Sequence, residues 1–174
     1  TFSAVDYLIE RGHRRIACVQ RLPHAWINDE RLRGYHDAHR HRSLSVDESL
    51  IMGEIYGQRN GYLETQKLIQ ADSPPTAIFA FSHLVTLGVL RALSEHGLVV
   101  PEDVSVIGFD DLPHSEYFAS PITTVTQPVT EMALAAVDLL LDEMNSSERK
   151  PAMRVQLPTT LVRRNSVKNL NAVV

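Results

Sequence analysis

The sequence predicts an α/β fold, with a mostly parallel β-sheet flanked by helices on both faces. Segments whose apolar residues recur at helical spacing alternate along the chain with short apolar segments typical of buried strands. The apolar runs at 76–81 and 104–109 lack the polar alternation of a half-exposed strand, which favours parallel strands covered on both sides. This alternation with short loops implies right-handed connections between strands. The 174 residues are enough for one medium domain or two small ones.

Two helix–strand units open the chain. The first helix carries apolar residues at helical spacing and ends at Gly12, which suits the left-handed position after a helix. Residues 14–19 then form the first predicted strand. After a polar loop at 21–28, the pattern predicts a helix over 29–41 and a second strand at the apolar run 49–52.

The middle of the chain repeats this alternation. A helical pattern over 57–70 must end before Pro74, because proline cannot continue the hydrogen-bond ladder of a helix. The strand at 76–81 follows, and Ser82 is placed to cap the next helix. Leucines recur every three residues in that helix, which ends at Gly97.

The last part of the chain contains the clearest strand signal. The run at 104–109 ends abruptly at Asp110, and a further strand is predicted at 122–126. Pro128 suits the first turn of the helix that follows, because its missing N–H needs no partner there. Apolar residues alternate as in a final strand at Met153, Val155 and Leu157, continuing through Leu161 and Val162. Residues after Asn165 are predicted to fray.

Charge and composition argue against several classes of protein. The formal net charge of −4 argues against general affinity for nucleic acid, which depends on basic side chains that displace counterions. No apolar run approaches the roughly 20 residues of a membrane-spanning helix, so no membrane contact is predicted. The single cysteine, Cys18, cannot form an internal disulfide, which fits a reducing compartment and favours the cytoplasm.

Motifs of the common α/β enzymes are absent from the sequence. There is no G-x-S-x-G elbow, no phosphate-binding G-x-x-x-x-G-K and no G-x-G-x-x-G after a strand. Cys18 lies within an apolar strand and is predicted to be a buried, inert thiol. His36 and His39 would share a helix face, but no cysteine or well-spaced acid completes a metal site. We therefore predict no catalytic residue, no cofactor and no metal.

Asp110 is the first candidate binding residue. It follows a buried strand, and ligands bind at the carboxyl edge of open α/β sheets. A carboxylate at that edge can accept hydrogen bonds from two hydroxyls of a sugar or polyol. One alternative is a turn cap without a ligand. Another is a catalytic pair with Asp111, although adjacent side chains usually point in different directions.

Arg31 and Trp26 are further candidates, close to the start of a helix that follows a strand. The guanidinium of Arg31 has a fixed fork of donors that suits a hydroxyl, carboxylate or phosphate. Its alternative is a surface ion pair with Asp29 or Glu30. The indole of Trp26 could stack on a sugar ring or a base, or else cover an edge of the core.

Five motifs, in this order and spacing, resemble the lactose and galactose repressor (LacI/GalR) family of bacterial transcription regulators. They are GHRRIA at 12–17, ERLRGY at 30–35, PPTAIFA at 74–80, PEDVSVIGFDD at 101–111 and ITTV at 122–125. Leu157 and Pro158, followed by LVRR at 161–164, extend the resemblance over nearly the whole chain.

The resemblance implies an N-terminal helix-turn-helix domain, a hinge and an effector-binding core of two periplasmic-binding-protein-like subdomains. This chain is similar to the second, C-terminal subdomain, with 1–165 as the effector-binding unit and 166–174 as a tail. The helix-turn-helix and most of the first subdomain are expected to lie outside it, so that operator DNA is contacted only through the missing domain. Arg31 matches the arginine that contacts the effector, and Asp110 matches the aspartate that accepts sugar hydroxyls.

Ser82 is a third effector-binding position implied by the resemblance. The family usually has asparagine and aspartate after this strand, where this sequence has Ser82 and His83. A serine offers one hydroxyl in place of an amide donor and acceptor, so the effector contact must be shorter or bridged by water. The effector need not be a common hexose.

A homodimer is also implied, in which a small-molecule effector, a sugar or related metabolite, shifts the population of closure states. The helix at 84–93 and the segment 112–118 are the candidate dimer contacts.

Two other functions share the fold class. One is a periplasmic sugar-binding component of a transporter, and the other is a nucleoside or sugar hydrolase that uses Asp110 in catalysis.

Overall fold

A computed structural model of the protein describes residues 1–111, 118–146 and 151–172. Its helices and strands alternate along the chain. In order they are α1 (Phe2–Glu10), β1 (Ile16–Val19), α2 (Trp26–His41), β2 (Ile51–Met52), α3 (Gln58–Ile69), β3 (Ala77–Ala80), α4 (His83–Glu95), β4 (Ser105–Phe109), β5 (Thr123–Thr126), α5 (Val129–Met144) and β6 (Thr160–Val162). A short 3₁₀ turn, Glu48–Leu50, precedes β2.

The strands form one six-stranded sheet in the order β2-β1-β3-β4-β5-β6. All neighbours are parallel except β5 and β6, which are antiparallel. The central register places Cys18 beside Phe79 and Phe79 beside Ile107. The predicted α/β class with a mostly parallel sheet is therefore confirmed.

Alternate residues of the buried strands pack into two separate cores. On β1, Ile16 and Cys18 join the core under α1 and α2, whereas Ala17 and Val19 join the core under α3 and α4. Both faces of the central strands are therefore covered, which explains why the strand sequences show no polar alternation. Cys18 is fully buried, as predicted, and burial raises the pKa of its thiol.

Helices α3 and α4 approach each other unusually closely at two glycines. A Cβ atom added to Gly61 would lie 2.2 Å from the carbonyl oxygen of Val85, and one added to Gly88 would lie 2.0 Å from that of Gln58. Both separations are far below van der Waals contact, so the backbones can meet only because neither position carries a side chain.

The prediction of a strand at Met153, Val155 and Leu157 is wrong, because Met153 and Val155 are exposed and lie outside any strand. Only its predicted continuation forms a strand, β6, at Thr160–Val162. β6 is the edge strand of the sheet, and the described residues hold no further strand for 153–157 to pair with. Helix α2 also begins earlier than predicted, at Trp26. The sequence does not mark this start, because the N-cap residue is Ala25, which has no side chain that can cap a helix.

The prediction that the chain frays after Asn165 is wrong for residues 166–170. Ser166 is fully buried; its backbone carbonyl accepts from the N–H of Val106 at 2.9 Å, and its hydroxyl donates to the carbonyl of Val106 at 2.5 Å. The N–H of Lys168 donates to Oγ of Ser105, and that of Leu170 to the carbonyl of Arg11. This segment therefore adds hydrogen bonds to the first residues of β4 and to the residue after α1.

Helix α5 differs from the other helices because none of its residues is buried. It carries apolar side chains on two faces. Met132, Ala135, Ala136 and Leu139 face a cavity described below, and a second set is exposed to solvent at Val137, Leu140, Leu141 and Met144. Among the described residues, no helix is long and apolar enough to cross a membrane.

Candidate ligand-binding site

Four polar or aromatic residues follow strands that end at one edge of the sheet. Trp26 begins α2 after β1, Ser82 follows β3, Asp110 follows β4 and Gln127 follows β5. Because these strands are parallel, their carboxyl ends lie side by side, which is where open α/β sheets bind ligands.

A cavity of about 680 Å³ opens at this edge. It lies between α2, the ends of β4 and β5, the first apolar face of α5 and the segment 154–159. Trp26, Arg31, Phe109 and Gln127 line it, whereas Asp110 adjoins it through its hydrogen bond to Gln127. The volume suits a small polar metabolite.

Arg31 is buried at the base of this cavity. Its Nη1 donates to the backbone carbonyl of Phe81, and its guanidinium carbon lies 3.5 Å from the ring centroid of Phe109. Burial lowers the pKa of Arg31 to about 10, partly offset by the charge of Asp110, so the side chain stays protonated near neutral pH. The alternative of a surface ion pair is wrong, because Arg31 is buried and Glu30 pairs with Arg33.

Asp110 is held by its backbone and by its side chain. Its φ of +67° is a conformation that few residues other than glycine adopt. The Asp110 N–H donates to the carbonyl of Val125 at 2.8 Å, and its Oδ1 accepts from Nε2 of Gln127 at 2.5 Å. An ionised carboxylate has capacity for several hydrogen bonds, so acceptor sites remain for a ligand.

Trp26 stands at the mouth of the cavity, with 64% of its surface exposed. The guanidinium carbon of Arg154 lies 5.2 Å from its ring centroid, within the range of a cation–π contact. An indole this exposed covers little of the core, which favours the stacking role over the alternative predicted from sequence.

Ser82 lies apart from the cavity and is fully buried. Its hydroxyl accepts from the N–H of Val85 at 3.3 Å as the N-cap of α4, and its carbonyl accepts from the N–H and the hydroxyl of Thr86. The predicted helix cap is confirmed, and an effector contact at Ser82 stays a prediction.

Ser82→Ala is expected to lower the free energy of unfolding by about 1 kcal/mol, because an N–H at the start of α4 loses its acceptor. Urea unfolding followed by circular dichroism measures this change. Titration of the same variant with a sugar tests the effector contact, since a lost cap alone leaves affinity unchanged. Ser94→Ala, at an exposed position of the same helix, is the control and should change stability by less than about 0.5 kcal/mol.

Sequence reasoning missed three residues of this site. Gln127 follows a predicted strand at the same edge as Asp110, so its position was a usable signal. The sequence indicates only a strand at Phe109, but the guanidinium of Arg31 stacks on the Phe109 ring. Arg154 lies on the segment wrongly predicted as a strand, and nothing in the local sequence marks its contact with Trp26.

The described residues bring together a cation, a carboxylate, an amide and an exposed indole. These groups donate to and accept from hydroxyls and stack on a flat ring. Within the same ranges, no cluster of three histidine, cysteine or acidic side chains is arranged to hold a metal ion. His39 is buried, and its Nδ1 is hydrogen bonded to the carbonyl of Tyr35.

Residues 5–167 match the family described as periplasmic binding protein-like domain. Among curated proteins, the chain is 36% identical over 169 residues to the HTH-type transcriptional repressor CytR of Escherichia coli, covering 97% of the chain and 49% of that protein. It is 33% identical over 170 residues to the HTH-type transcriptional repressor PurR of Vibrio atlanticus, covering 98% and 51%.

A LacI family transcriptional regulator from Enterococcus faecium, solved with bound ribose, is a close structural match. The two share 30% sequence identity and a TM-score of 0.86, over 98% of this chain and 62% of the other. The chain spans about half the length of the curated relatives it matches. These relatives are transcriptional regulators and not enzymes, and the transporter alternative is not favoured.

Proposed function

The chain belongs to the family of periplasmic-binding-protein-like domains, and from this membership we propose that it is the effector-binding and dimerisation part of a LacI-family transcriptional regulator. The proposed effector is a sugar or another small polar metabolite. In the complete protein, a helix-turn-helix domain binds operator DNA, and this chain supplies the C-terminal part of the effector-binding core. The cytoplasm is the proposed location, because the DNA partner lies there.

The observation that carries this proposal is the buried guanidinium of Arg31 beside Asp110 at the carboxyl edge of the sheet. Only one donor of Arg31 is needed for the carbonyl of Phe81, which leaves others to bind an effector oxygen. Asp110 accepts effector hydroxyls, and Trp26 stacks on the ring. Ser82 completes the proposed site from the neighbouring strand end, through the shorter or water-bridged contact described above.

Isothermal titration of the complete protein with ribose tests the proposal directly. We expect saturable binding of one ribose per chain, which disappears when Arg31 and Asp110 are replaced together. Other neutral monosaccharides extend the titration if ribose is not the preferred ligand. Saturation that persists unchanged in the double variant would contradict the site. Hydrolysis of a nucleoside or a glycoside, absent after Asp110→Asn, would instead favour the hydrolase.

The exposed apolar face of α5 supports the proposal that a first subdomain, which lies outside this chain, packs against it. The residues of this face are Val137, Leu140, Leu141 and Met144, which are between 49% and 71% exposed. A contiguous apolar surface on a helix normally packs against protein. Because the relatives are about twice as long as this chain, we assign this face to the part of the protein that lies outside it.

A second apolar surface supports the homodimer. Leu84, Leu87 and Leu90 form a half-buried stripe along α4. Leu87 and Leu90 line a groove of about 590 Å³ together with Val99, Val100 and Phe118. The proposed occupant is the same surface of a second copy, since two-fold dimers bury identical patches. The other predicted dimer contact, 112–118, lies outside the described residues except for Phe118.

Leu90→Glu is expected to raise the dimer dissociation constant by about 100-fold, because it places a charge in an apolar interface. Sedimentation equilibrium of the complete protein measures the constant. Leu63→Glu is the matched control, since Leu63 is an exposed leucine on α3 away from the groove. If Leu90→Glu folds and associates like the wild type, α4 is not the interface.

A further inference from the structure

A two-pronged ion pair holds the residue that follows Asp110. Nη1 and Nη2 of Arg164 donate to Oδ1 and Oδ2 of Asp111, both at 2.9 Å. The hydroxyl of Thr124 also donates to Oδ1 of Asp111, at 3.2 Å. Because Arg164 lies just after β6 and Thr124 lies in β5, the Asp111 side chain is tied to two strands of the sheet.

Arg164 is itself fixed in place. Its Nη1 donates to the carbonyl of Ile122 at 2.7 Å and to the hydroxyl of Thr124 at 3.1 Å. Its backbone N–H donates to the hydroxyl of Thr123 at 2.9 Å, and its side chain is only 22% exposed. A planar guanidinium with this many partners has one preferred position, unlike a solvated surface arginine.

Asp110 is joined to this ion pair through the chain and to the cavity through Gln127. Its φ of +67° turns the chain so that the two adjacent carboxylates face different partners. Asp111 is bound to Arg164, whereas Oδ1 of Asp110 accepts from Gln127 at the cavity wall. The direction of the Asp110 carboxylate therefore depends on how the backbone of this turn is held.

We propose that Arg164 is a positioning residue for the effector site. By holding Asp111, it fixes the turn that directs the Asp110 carboxylate toward Gln127 and the cavity. Arg164 touches no effector in this role. The inference rests on the proposed function, in which Asp110 accepts hydroxyls of the effector.

The side-chain amide of Gln127 reports the position of Asp110 without any effector. In the ¹⁵N-labelled full chain, this amide signal is assigned by its loss in Gln127→Leu. The chemical shift of an amide proton changes when it is hydrogen bonded to a carboxylate. Asp110→Asn therefore gives the chemical shift of the Gln127 amide without that carboxylate. We expect Arg164→Gln and Asp111→Asn each to move the signal at least halfway to that position. In Arg164→Lys the Gln127 signal should lie between its positions in the wild type and in Arg164→Gln, because an ammonium keeps the charge but cannot form the two-pronged contact.

The matched control is a second two-pronged pair, neither member of which lines the cavity. Nε and Nη2 of Arg42 donate to Oδ1 and Oδ2 of Asp6, at 2.6 and 2.9 Å. Arg42→Gln should leave the Gln127 signal unchanged. If Arg164→Gln does not fold, Asp111→Asn carries the test, because Arg164 keeps its bonds to Ile122 and Thr124. An unmoved signal in folded Asp111→Asn, or an equal shift in Arg42→Gln, would overturn the proposal.

Ribose titration separates this inference from the proposed function. If wild-type protein binds ribose, Asp111→Asn should weaken binding by about 10-fold, as is typical when the support of a binding residue is lost. Unchanged ribose affinity together with an unmoved Gln127 signal contradicts the positioning role. Failure of the wild type to bind any monosaccharide contradicts a monosaccharide as the effector, and the Gln127 signal still decides the role of Arg164.

Discussion

Asp110→Asn in the complete protein is expected to weaken effector binding by roughly 100-fold, or about 2.8 kcal/mol. Asparagine keeps the size of the side chain and tolerates a positive φ, so the turn at +67° is retained. The loss is one of charge. A carboxylate accepts hydroxyl hydrogen bonds more strongly than an amide oxygen, and the buried guanidinium of Arg31 loses its nearby opposite charge. Calorimetric titration with ribose measures the effect.

Arg31→Ala should weaken binding at least as much, because it removes donors from the base of the cavity. Asp37→Asn is the matched control. Asp37 also lines the cavity, but its carboxylate pairs with exposed Arg40 at 2.7 Å, and we expect a change below about threefold. An Asp110→Asn protein with wild-type unfolding and wild-type ribose affinity would exclude Asp110 from the site.

Gly88→Ala is expected to lower the free energy of unfolding by about 3 kcal/mol. Helix propensity alone predicts the opposite, since alanine is favoured over glycine in a helix by about 1 kcal/mol. The steric term is larger here, because the new Cβ would lie 2.0 Å from the carbonyl oxygen of Gln58 and 2.6 Å from the backbone nitrogen of Tyr62. Helix α4 would have to move away from α3. Urea unfolding measures the change.

Gly97→Ala separates steric overlap from backbone conformation. Gly97 has a φ of +70°, but an added Cβ would meet nothing within 4 Å. Its cost should therefore be that of the left-handed conformation alone, about 1 kcal/mol. Equal costs at Gly97 and Gly88 would contradict the steric explanation of the contact between α3 and α4.

Much of the fold is predictable because the central strands are buried on both faces. Burial on two sides requires continuous apolar runs, and such runs mark β3 and β4 in the sequence. The start of α2 and the docking of Ser166 were not predictable. Ala25 offers no side-chain cap, and Ser166 is held by hydrogen bonds to Val106, which lies far away along the chain.

The site was only partly accessible from sequence. Asp110 could be named as a candidate because strand ends are a local signal, whereas the choice between a buried and a surface role for Arg31 depends on Phe81 and Phe109. Neighbours of this kind come together only in the folded chain. The α5 side of the cavity was also missed, because an amphipathic pattern does not say which apolar face lines a cavity.

The docked segment at 166–170 has a consequence for synthesis on the ribosome. Val106 and Ser105 of the central strand β4 take hydrogen-bond partners from Ser166 and Lys168, and Asn171 donates to the carbonyl of Glu10, 161 positions earlier. A nascent chain that has emerged only as far as β6 can arrange its sheet but lacks these contacts. Long-range contacts of this kind form late and slowly. Residues 166–171 therefore make these contacts only after β6 has emerged, and truncation before them leaves α1 and β4 without these hydrogen bonds.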